Sequence, residues 1–163
     1  MLQAKLVELG AVMKFKSPIR EVAFTHPVLR IREKGILLRL RTVADRIELT
    51  LKKRNMEKKI LARDEAEIDV SNFRETIEIL GALGFIVCRD REKRRVEWEW
   101  RGFKIEIDTY PGCPPYVEIE GSSYRAILRA IKALGLGECE RFAGSSTDLL
   151  RRWGAKNYDF LKF

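Results

Sequence analysis

Few residues in this sequence could build a thiolate metal site, a disulfide framework or a histidine-dependent active site. The cysteines, Cys88, Cys113 and Cys139, are odd in number and widely spaced, without a CxxC pair. This spacing argues against a zinc site and against a set of disulfides. His26 is the single histidine, and its place before Pro27 indicates a loop residue rather than a catalytic base.

Long apolar runs and glycine-rich phosphate loops are also missing. The longest apolar stretch, ILGALGFIVC, is too short to span a bilayer, and no GxxxxGK motif occurs. The start, MLQAKLVELGA, lacks the layout of a signal peptide. We therefore expect a cytoplasmic protein that has no membrane partner and does not bind phosphate through a P-loop.

Charged residues are abundant and of both signs. Lysine and arginine number 32 against 24 aspartates and glutamates, a net charge of +8, while 45% of the residues are hydrophobic. A chain of this length and hydrophobicity is predicted to form one domain over residues 1–163. The basic excess predicts an anionic partner, such as nucleic acid, an anionic lipid or a phosphorylated small molecule.

Strands outnumber helices in the predicted order of elements. Alternation with period two predicts a hairpin from GILLRLR and RIELTLKKR, and a meander from RRVEWEW, FKIEIDTY and YVEIEG. Helices are predicted in LQAKLVELGA, SNFRETIEILGALGF, SSYRAILRAIKALGL and STDLLRRW. In the second helix we expect Ser71 as N-cap and a buried stripe of Phe73, Ile77, Leu80 and Leu83. This order indicates an α+β fold with an antiparallel sheet.

Each predicted strand has one apolar and one charged face, because alternate side chains of a strand point to opposite sides. The charged faces carry Arg39, Arg41, Glu48, Thr50, Lys52, Arg95, Glu97, Glu99, Lys104, Glu106, Asp108, Glu118 and Glu120. Two arrangements fit this pattern. An open sheet could hold helices on its apolar side and water on its charged side. Alternatively, the sheet curls into a closed or nearly closed β-barrel, with helices packed outside and charged residues lining a tunnel.

A charged interior is costly unless its charges are paired, hydrated or bound to ions. Arginine and lysine bind phosphate oxygens, and carboxylates bind a hard divalent cation that bridges those oxygens. Both kinds of side chain occur here on different strands, which suits a metal-bound polyphosphate. The acids of the meander argue against a nucleic-acid groove, since they would repel its phosphates.

Six segments resemble, in order and spacing, the CYTH superfamily, which includes class IV adenylyl cyclases, thiamine triphosphatases and inorganic triphosphatases. They are LLRLR, IELTLKK, the helix ending LGALGF, EKRRVEWEW, KIEIDTYPGCPPYVEIEG and the helix ending LGLG. The stretch EIDTYPGCPPYVEIEG is the most specific, and the resemblance covers residues 2–137. It implies the second arrangement, an antiparallel β-barrel or tunnel with a charged interior.

The resemblance also implies a role for each charged residue that falls on a family motif. It implies phosphate binding by Arg39, Arg41, Lys52, Lys93 and Arg95. It implies binding of Mg²⁺ or Mn²⁺ by Glu118, Glu120, Asp108 and Glu67. Catalytic roles are implied for Glu118, Glu120 and Lys52, and Glu106 lies on the same charged face.

The sequence departs from the family at its start. The family's N-terminal ExExK strand supplies two carboxylates to the metal and a lysine to phosphate, whereas MLQAKLVELGA resembles the helix that follows it. The metal site then has fewer ligands, although Asp108, Glu118 and Glu120 could still hold an ion that keeps waters and substrate oxygens. The sheet edges would need cover by a helix, by charge or by a second subunit in a homodimer.

Three functions stay open on the sequence. The first is metal-dependent binding and hydrolysis of inorganic, nucleoside or thiamine triphosphate, with class IV adenylyl cyclase chemistry on ATP as its alternative. The second is a non-catalytic polyphosphate- or nucleotide-binding protein, which the missing ExExK strand favours. The third is a nucleic-acid-binding domain, suggested by KKRNMEKK and REKRR. We expect the first, an enzyme acting on a triphosphate-bearing small molecule.

Overall fold

The computed structural model describes residues 2–54 and 63–163, so the latter part of the basic stretch KKRNMEKK lies outside it. The helices are α1 (Leu2–Glu8), α2 (Phe73–Ala82), α3 (Tyr124–Ala133) and α4 (Ser146–Arg152). The strands are β1 (Val12–Thr25), β2 (Ile36–Val43), β3 (Arg46–Arg54), β4 (Arg63–Asp69), β5 (Ile86–Trp100), β6 (Phe103–Thr109) and β7 (Tyr116–Glu120). None of the described helices has the length and apolar character needed to cross a membrane.

The seven strands form one sheet in the order β4-β3-β2-β1-β5-β6-β7. The pairs β1–β2, β2–β3, β3–β4, β5–β6 and β6–β7 are antiparallel. The predicted α+β class with an antiparallel sheet is confirmed. Among the described strands the order ends at β4 and β7, so backbone hydrogen bonds do not close the sheet into a barrel.

The described residues divide into two compact units. The first comprises those up to Ser17, together with Lys93–Tyr158 and Phe163. The second comprises those within Pro18–Glu92, together with Asp159–Lys162. Strands β1 and β5 contribute residues to both units, and each unit has its own apolar core and its own buried charged residues. A single domain over residues 1–163 stays a prediction.

The apolar core of the first unit lies between the β5–β6–β7 meander and the helices α1 and α3. Leu6 of α1 and Ala130 and Leu134 of α3 pack in one cluster with Trp98 and Ile105. Burying each large apolar side chain stabilises the fold by about 1.5–3 kcal/mol. Because the apolar faces of β5 and β6 meet these helices, their charged faces point to the opposite side of the sheet.

The apolar core of the second unit lies between β1, β2 and α2. Val22, Phe24 and Leu40 form one cluster with Leu80 of α2. Leu83, predicted as part of the same buried stripe, is instead 64% exposed. That prediction is wrong because α2 ends at Ala82 and Leu83 is its C-cap, so the helical period no longer sets the direction of this side chain.

Local residue chemistry determines where α2 begins and how β5 turns into β6. The N-cap of α2 is Asn72, whose side chain accepts from two N–H groups of the first turn. The prediction of Ser71 is wrong by one residue, because serine and asparagine are equally good caps by type. Arg101 and Gly102 have φ values of 50° and 77°, which suits a two-residue hairpin turn that places both residues at positive φ.

Candidate functional site

The register of the β5–β6–β7 meander places the charged residues of the first unit in three cross-strand rows. The middle row, which we call the acidic row, is Glu97, Glu106 and Glu118. The flanking rows are Arg95, Asp108 and Tyr116 on one side, and Glu99, Lys104 and Glu120 on the other. Like charges directly opposite each other are destabilising, so the cations of the flanking rows are needed to offset the acidic row.

Arg95 binds carboxylates of two rows at once. Its Nε lies 2.7 Å from Oδ1 of Asp108 and its Nη2 2.6 Å from Oδ2, while Nη1 donates to Glu106. Burial acts to lower the pKa of Arg95, but the hydrogen bond to Asp108 and the charges of both acids raise it above its usual value. The guanidinium therefore stays charged, and the bidentate contact fixes its plane.

Asp108 is fully buried, with 0% of its surface exposed, and has two further donors. Nζ of Lys93 lies 2.7 Å from Oδ2, and the hydroxyl of Tyr116 donates to the same oxygen at 3.2 Å. Burial acts to raise the pKa of Asp108, but the hydrogen bond from Arg95 and the charges of Lys93 and Arg95 hold it below its usual range. Burial raises the pKa of Tyr116, so its hydroxyl remains a donor.

Glu118 has weaker cationic contacts than Asp108. Its Oε2 lies 3.9 Å from Nη2 of Arg95, and 40% of its side chain is exposed. Burial raises the pKa of Glu118; the charge of Lys93 opposes this, and the neighbouring acids Asp108 and Glu106 add to it. A carboxyl in such surroundings attracts a cation, either a proton or a metal ion.

Three carboxylates of the first unit could share one metal ion. Carboxylate oxygens of Glu106, Asp108 and Glu118 all lie within 4.8 Å of one another. Oxygen ligands of this kind suit Mg²⁺ or Mn²⁺. A divalent ion would also offset the charges of Asp108 and Glu106, which add to the effect of burial on the pKa of Glu118. The donor set therefore fits the predicted cofactor.

In the second unit, the register of β1 to β4 gives two rows of different charge. One row consists of three acids and one arginine, in the order Glu21, Arg41, Glu48 and Asp69. The next row consists of Ala23, Arg39, Thr50 and Glu67. The two direct neighbours of Arg39 across the strands, Ala23 and Thr50, carry no charge, so this guanidinium depends on diagonal partners.

Arg39 keeps donors that the described residues do not use. Its Nη1 donates to Oε2 of Glu21 at 3.2 Å, whereas its Nε and Nη2 are buried and have no hydrogen-bond partner in the described part of the chain. A buried donor without an acceptor costs about 1–3 kcal/mol. Phosphate oxygens would supply the missing acceptors, so Arg39 fits an anion.

Other residues predicted to bind the ligand in the second unit contact carboxylates. Nε of Arg41 donates to Oε2 of Glu48 at 2.7 Å, and its Nη2 lies 3.6 Å from Glu67. Nζ of Lys52 lies 2.8 Å from Glu65. A phosphate group would therefore have to share or displace these carboxylates.

The structure brings together part of the predicted metal set. Asp108 and Glu118 lie in one group with Glu106. Glu120 is exposed and lies in the next row, and Glu67 belongs to the second unit. Metal binding by Glu120 and Glu67 stays a prediction.

Sequence reasoning did not foresee the contacts made by Glu106, Tyr116 and Glu21. The two-residue turn at Arg101 and Gly102 sets the pairing of β5 with β6, so aligning the strands about that turn would have placed Glu106 beside Glu97. No comparable signal exists for Glu21, because a long connection separates β1 from β2.

Comparison with known proteins identifies the fold. The model of the CYTH domain family matches residues 6–144. Comparison with curated protein sequences found no match.

Several solved structures are similar to this chain. A conserved hypothetical protein from Pyrococcus furiosus has a TM-score of 0.74 and 22% identity, covering 91% of each chain. A Vibrio parahaemolyticus protein provisionally assigned as an adenylate cyclase has a TM-score of 0.72 and 16% identity, covering 92% of this chain and 90% of that one. A Hippeastrum protein, provisionally an adenylyl cyclase and described as having a dominant triphosphatase activity, has a TM-score of 0.62 and 15% identity, covering 94% and 90%. At these identities the similarity concerns the fold.

Proposed function

Because the chain belongs to the CYTH domain family, we propose that it binds a triphosphate together with a divalent metal ion and hydrolyses it. Family membership supports triphosphate-related activity in general. One observation carries the specific proposal: Glu106, Asp108 and Glu118 have carboxylate oxygens within 4.8 Å of one another, and the buried cations Lys93 and Arg95 contact the same group. Acids for a hard metal ion and cations for phosphate oxygens thus occur within one unit.

The proposed phosphate ligands are basic side chains on several strands. Lys93 and Arg95 are held by Asp108, which orients both cations while their remaining donors can bind a phosphate oxygen. The proposal of Arg39 as a phosphate ligand is supported by its two buried nitrogens, which have no hydrogen-bond partner among the described residues. Arg41 and Lys52 complete the proposed set.

The proposed metal ligands are Glu118 and Asp108, with Glu106 as a further oxygen donor. Glu120 and Glu67 remain proposed ligands. Mg²⁺ or Mn²⁺, when bound, would neutralise charge on the phosphate oxygens.

Hydrolysis requires the protein to position and neutralise rather than to form covalent bonds with the substrate. A water oxygen bonds to the terminal phosphorus while the phosphoanhydride bond breaks, negative charge moves to the leaving phosphate, and the water loses a proton to solvent. Glu118 and Glu120 are the proposed residues that orient the water. Lys52 is proposed to neutralise charge that develops on a phosphate oxygen.

Phosphate release tests the proposal. The purified chain is incubated with inorganic triphosphate, ATP or thiamine triphosphate in Mg²⁺, Mn²⁺ or EDTA. We expect turnover that depends on the metal and falls at least about a hundredfold in Glu118→Gln, the scale of losing one group that stabilises transition-state charge.

Glu99→Gln is the matched control. Glu99 lies on the charged face of β5, is exposed and contacts Lys14 at 3.2 Å, so the same substitution there should leave turnover unchanged. Turnover in EDTA, or equal turnover in Glu118→Gln and the unsubstituted chain, would contradict the proposal.

Product analysis separates the alternatives. Cyclic AMP and pyrophosphate from ATP would indicate the cyclase, which the provisional assignment of the Vibrio protein suggests as a candidate. Triphosphate binding without any product would indicate a polyphosphate- or nucleotide-binding protein. A cytoplasmic location remains part of the proposal.

A further inference from the structure

Two arginines of the second unit form an anion-binding pair on the charged face of β5. Arg89 and Arg91 are two residues apart, so their side chains leave the same face of the strand. Arg91 is 1% exposed, and the side chain of Arg89 is 13% exposed. Guanidinium groups buried this deeply require acceptors with full negative charge.

Asp159 supplies that charge from a distant part of the chain. Its Oδ1 lies 3.3 Å from Nε of Arg89 and 3.2 Å from Nη2 of Arg91. One acidic oxygen between two guanidinium groups is also the contact that a phosphate oxygen makes with an arginine pair. Asp159 thus occupies a position that suits a phosphate group.

The segment carrying Asp159 is attached to β5 by polar contacts. The N–H groups of Asp90 and Glu92 donate to the carbonyls of Asp159 and Leu161 at 2.9 Å and 2.7 Å. Beside Asp159 and Leu161, the side chain of Phe160 is 58% exposed. Lys162 of the same segment adds ion pairs to Asp90 and Glu92, so ionic and hydrogen-bonded contacts are among those that a competing anion has to replace.

Arg39 of the same unit is linked to Arg89 through a shared carboxylate. Nη1 of Arg89 lies 3.9 Å from Oε1 of Glu21, and Glu21 also accepts a hydrogen bond from Arg39. Arg39 has two buried nitrogens without a partner among the described residues. Removing the carboxylate of Asp159 from Arg89 would add to this excess of donors.

We propose that Arg89 and Arg91 form a binding subsite for a phosphate group of a polyphosphate, and that Asp159 closes this subsite as an internal competitor. A phosphate group carries more charge and more acceptor oxygens than one carboxylate. It displaces Asp159, and with it the backbone of residues 159–161, from β5. The inference rests on the proposed function only in naming a polyphosphate as the ligand.

Calorimetric titration with inorganic tripolyphosphate in EDTA tests the competition without any contribution from a metal ion. Asp159→Asn is expected to bind about fivefold or more tightly than the unsubstituted chain, because one close opposing charge is removed. Adding Arg89→Gln to Asp159→Asn should abolish the gain. The gain should also shrink in high salt.

Glu78→Gln is the matched control, since it makes the same change of charge in the same unit. Glu78 is exposed on α2 and contacts Arg74 rather than the arginine pair, so the affinity of this variant for tripolyphosphate should change less than about twofold. Equal gains in Glu78→Gln and Asp159→Asn, or no gain in Asp159→Asn, would overturn the inference.

Amide hydrogen exchange on the unsubstituted chain gives a second measurement, which holds even if Asp159→Asn folds poorly. Saturating tripolyphosphate should speed exchange at Asp90 and Glu92, because their acceptors on residues 159 and 161 leave. Unchanged or slower exchange at both amides would overturn the inference.

The two proposals can fail separately. Metal-dependent hydrolysis with unchanged affinity in Asp159→Asn refutes only the subsite. A gain in affinity that depends on Arg89, without hydrolysis in any metal, supports the subsite and refutes the proposed enzyme.

Discussion

The two units bury charged side chains with different balances of donors and acceptors. In the first unit Asp108 is fully buried and accepts from Lys93, Arg95 and Tyr116. In the second unit Arg39 donates to Glu21 and keeps two buried nitrogens without a partner in the part of the chain that the structure describes. Both sites are buried, yet both oxygens of Asp108 accept hydrogen bonds, whereas Arg39 keeps donors that no described residue uses.

The balance of donors and acceptors determines which kind of ligand each group can attract. The acidic row of the first unit places three carboxylates in adjacent positions, and neighbouring acids add to the effect of burial in raising the pKa of Glu118, so the row suits a cation. Arg39 has donors but too few acceptors, so it suits an anion. Burial alone does not separate a structural ion pair from a binding group, whereas counting donors against acceptors does.

The largest effect is expected from Arg95→Ala. This substitution leaves the buried carboxylates of Asp108 and Glu106 without their main partner, and it should lower the free energy of unfolding by about 3–5 kcal/mol. Urea denaturation in EDTA measures it. The adjacent Arg94 is exposed and stacks on Phe163, so Arg94→Ala should cost less than about 1 kcal/mol. Equal losses would show that the buried cluster is no more important than a surface arginine.

Arg39→Ala should affect binding more than stability. The substitution removes unsatisfied donors, so we expect a stability change smaller than that of Arg95→Ala and an affinity for tripolyphosphate lowered about tenfold. Calorimetry and urea denaturation on the same samples measure both. The control is Arg46→Ala, because Arg46 is mostly exposed and already contacts Glu48. A larger loss of stability than in Arg95→Ala would reverse the comparison.

Tyr116→Phe tests how complete the set of donors around Asp108 is. Loss of the hydroxyl at 3.2 Å should cost about 1 kcal/mol, since Lys93 and Arg95 still hold the carboxylate. Thermal unfolding measures the difference. Tyr124 is 68% exposed, and Tyr124→Phe should be neutral. A loss as large as that in Arg95→Ala would mean that the donors are not redundant.

The smallest effect is expected from Asp90→Asn, which examines a saturated carboxylate in the second unit. Burial acts to raise the pKa of Asp90, but the hydrogen bonds from Arg20 and Lys162 hold it below its ordinary value of 3.8. A carboxyl with a lowered pKa in the folded state stabilises the fold above its unfolded pKa, and this contribution is lost as the pH falls through the folded pKa.

At pH 7, Asp90→Asn should therefore be less stable by about 0.5–1 kcal/mol, the range of partly exposed ion pairs. The difference should shrink as the pH falls below 3.8 and should be smaller in an Arg20→Gln background. Chemical denaturation across pH measures it, and a difference that grows in acid would contradict the assignment.

Much of the fold follows from local patterns in the sequence. The period of two along β2 separates Leu38 and Leu40, which pack in the apolar core, from Arg39 and Arg41 on the other face. That separation is a property of any extended chain, so no knowledge of distant residues was needed. The turn at Gly102 likewise carries enough information to pair β5 with β6.

Each cluster of charged side chains is formed by residues that lie far apart in the chain. Asp159 reaches Arg89 from 70 residues away, and Glu106 joins Glu118 through the register of β6 with β7. No local pattern encodes such contacts. An open, hydrated sheet and a sheet with buried charges have the same alternation of apolar and charged residues. Only tertiary packing removes residues such as Asp108 from water, and in the buried position their charges need partners within the protein.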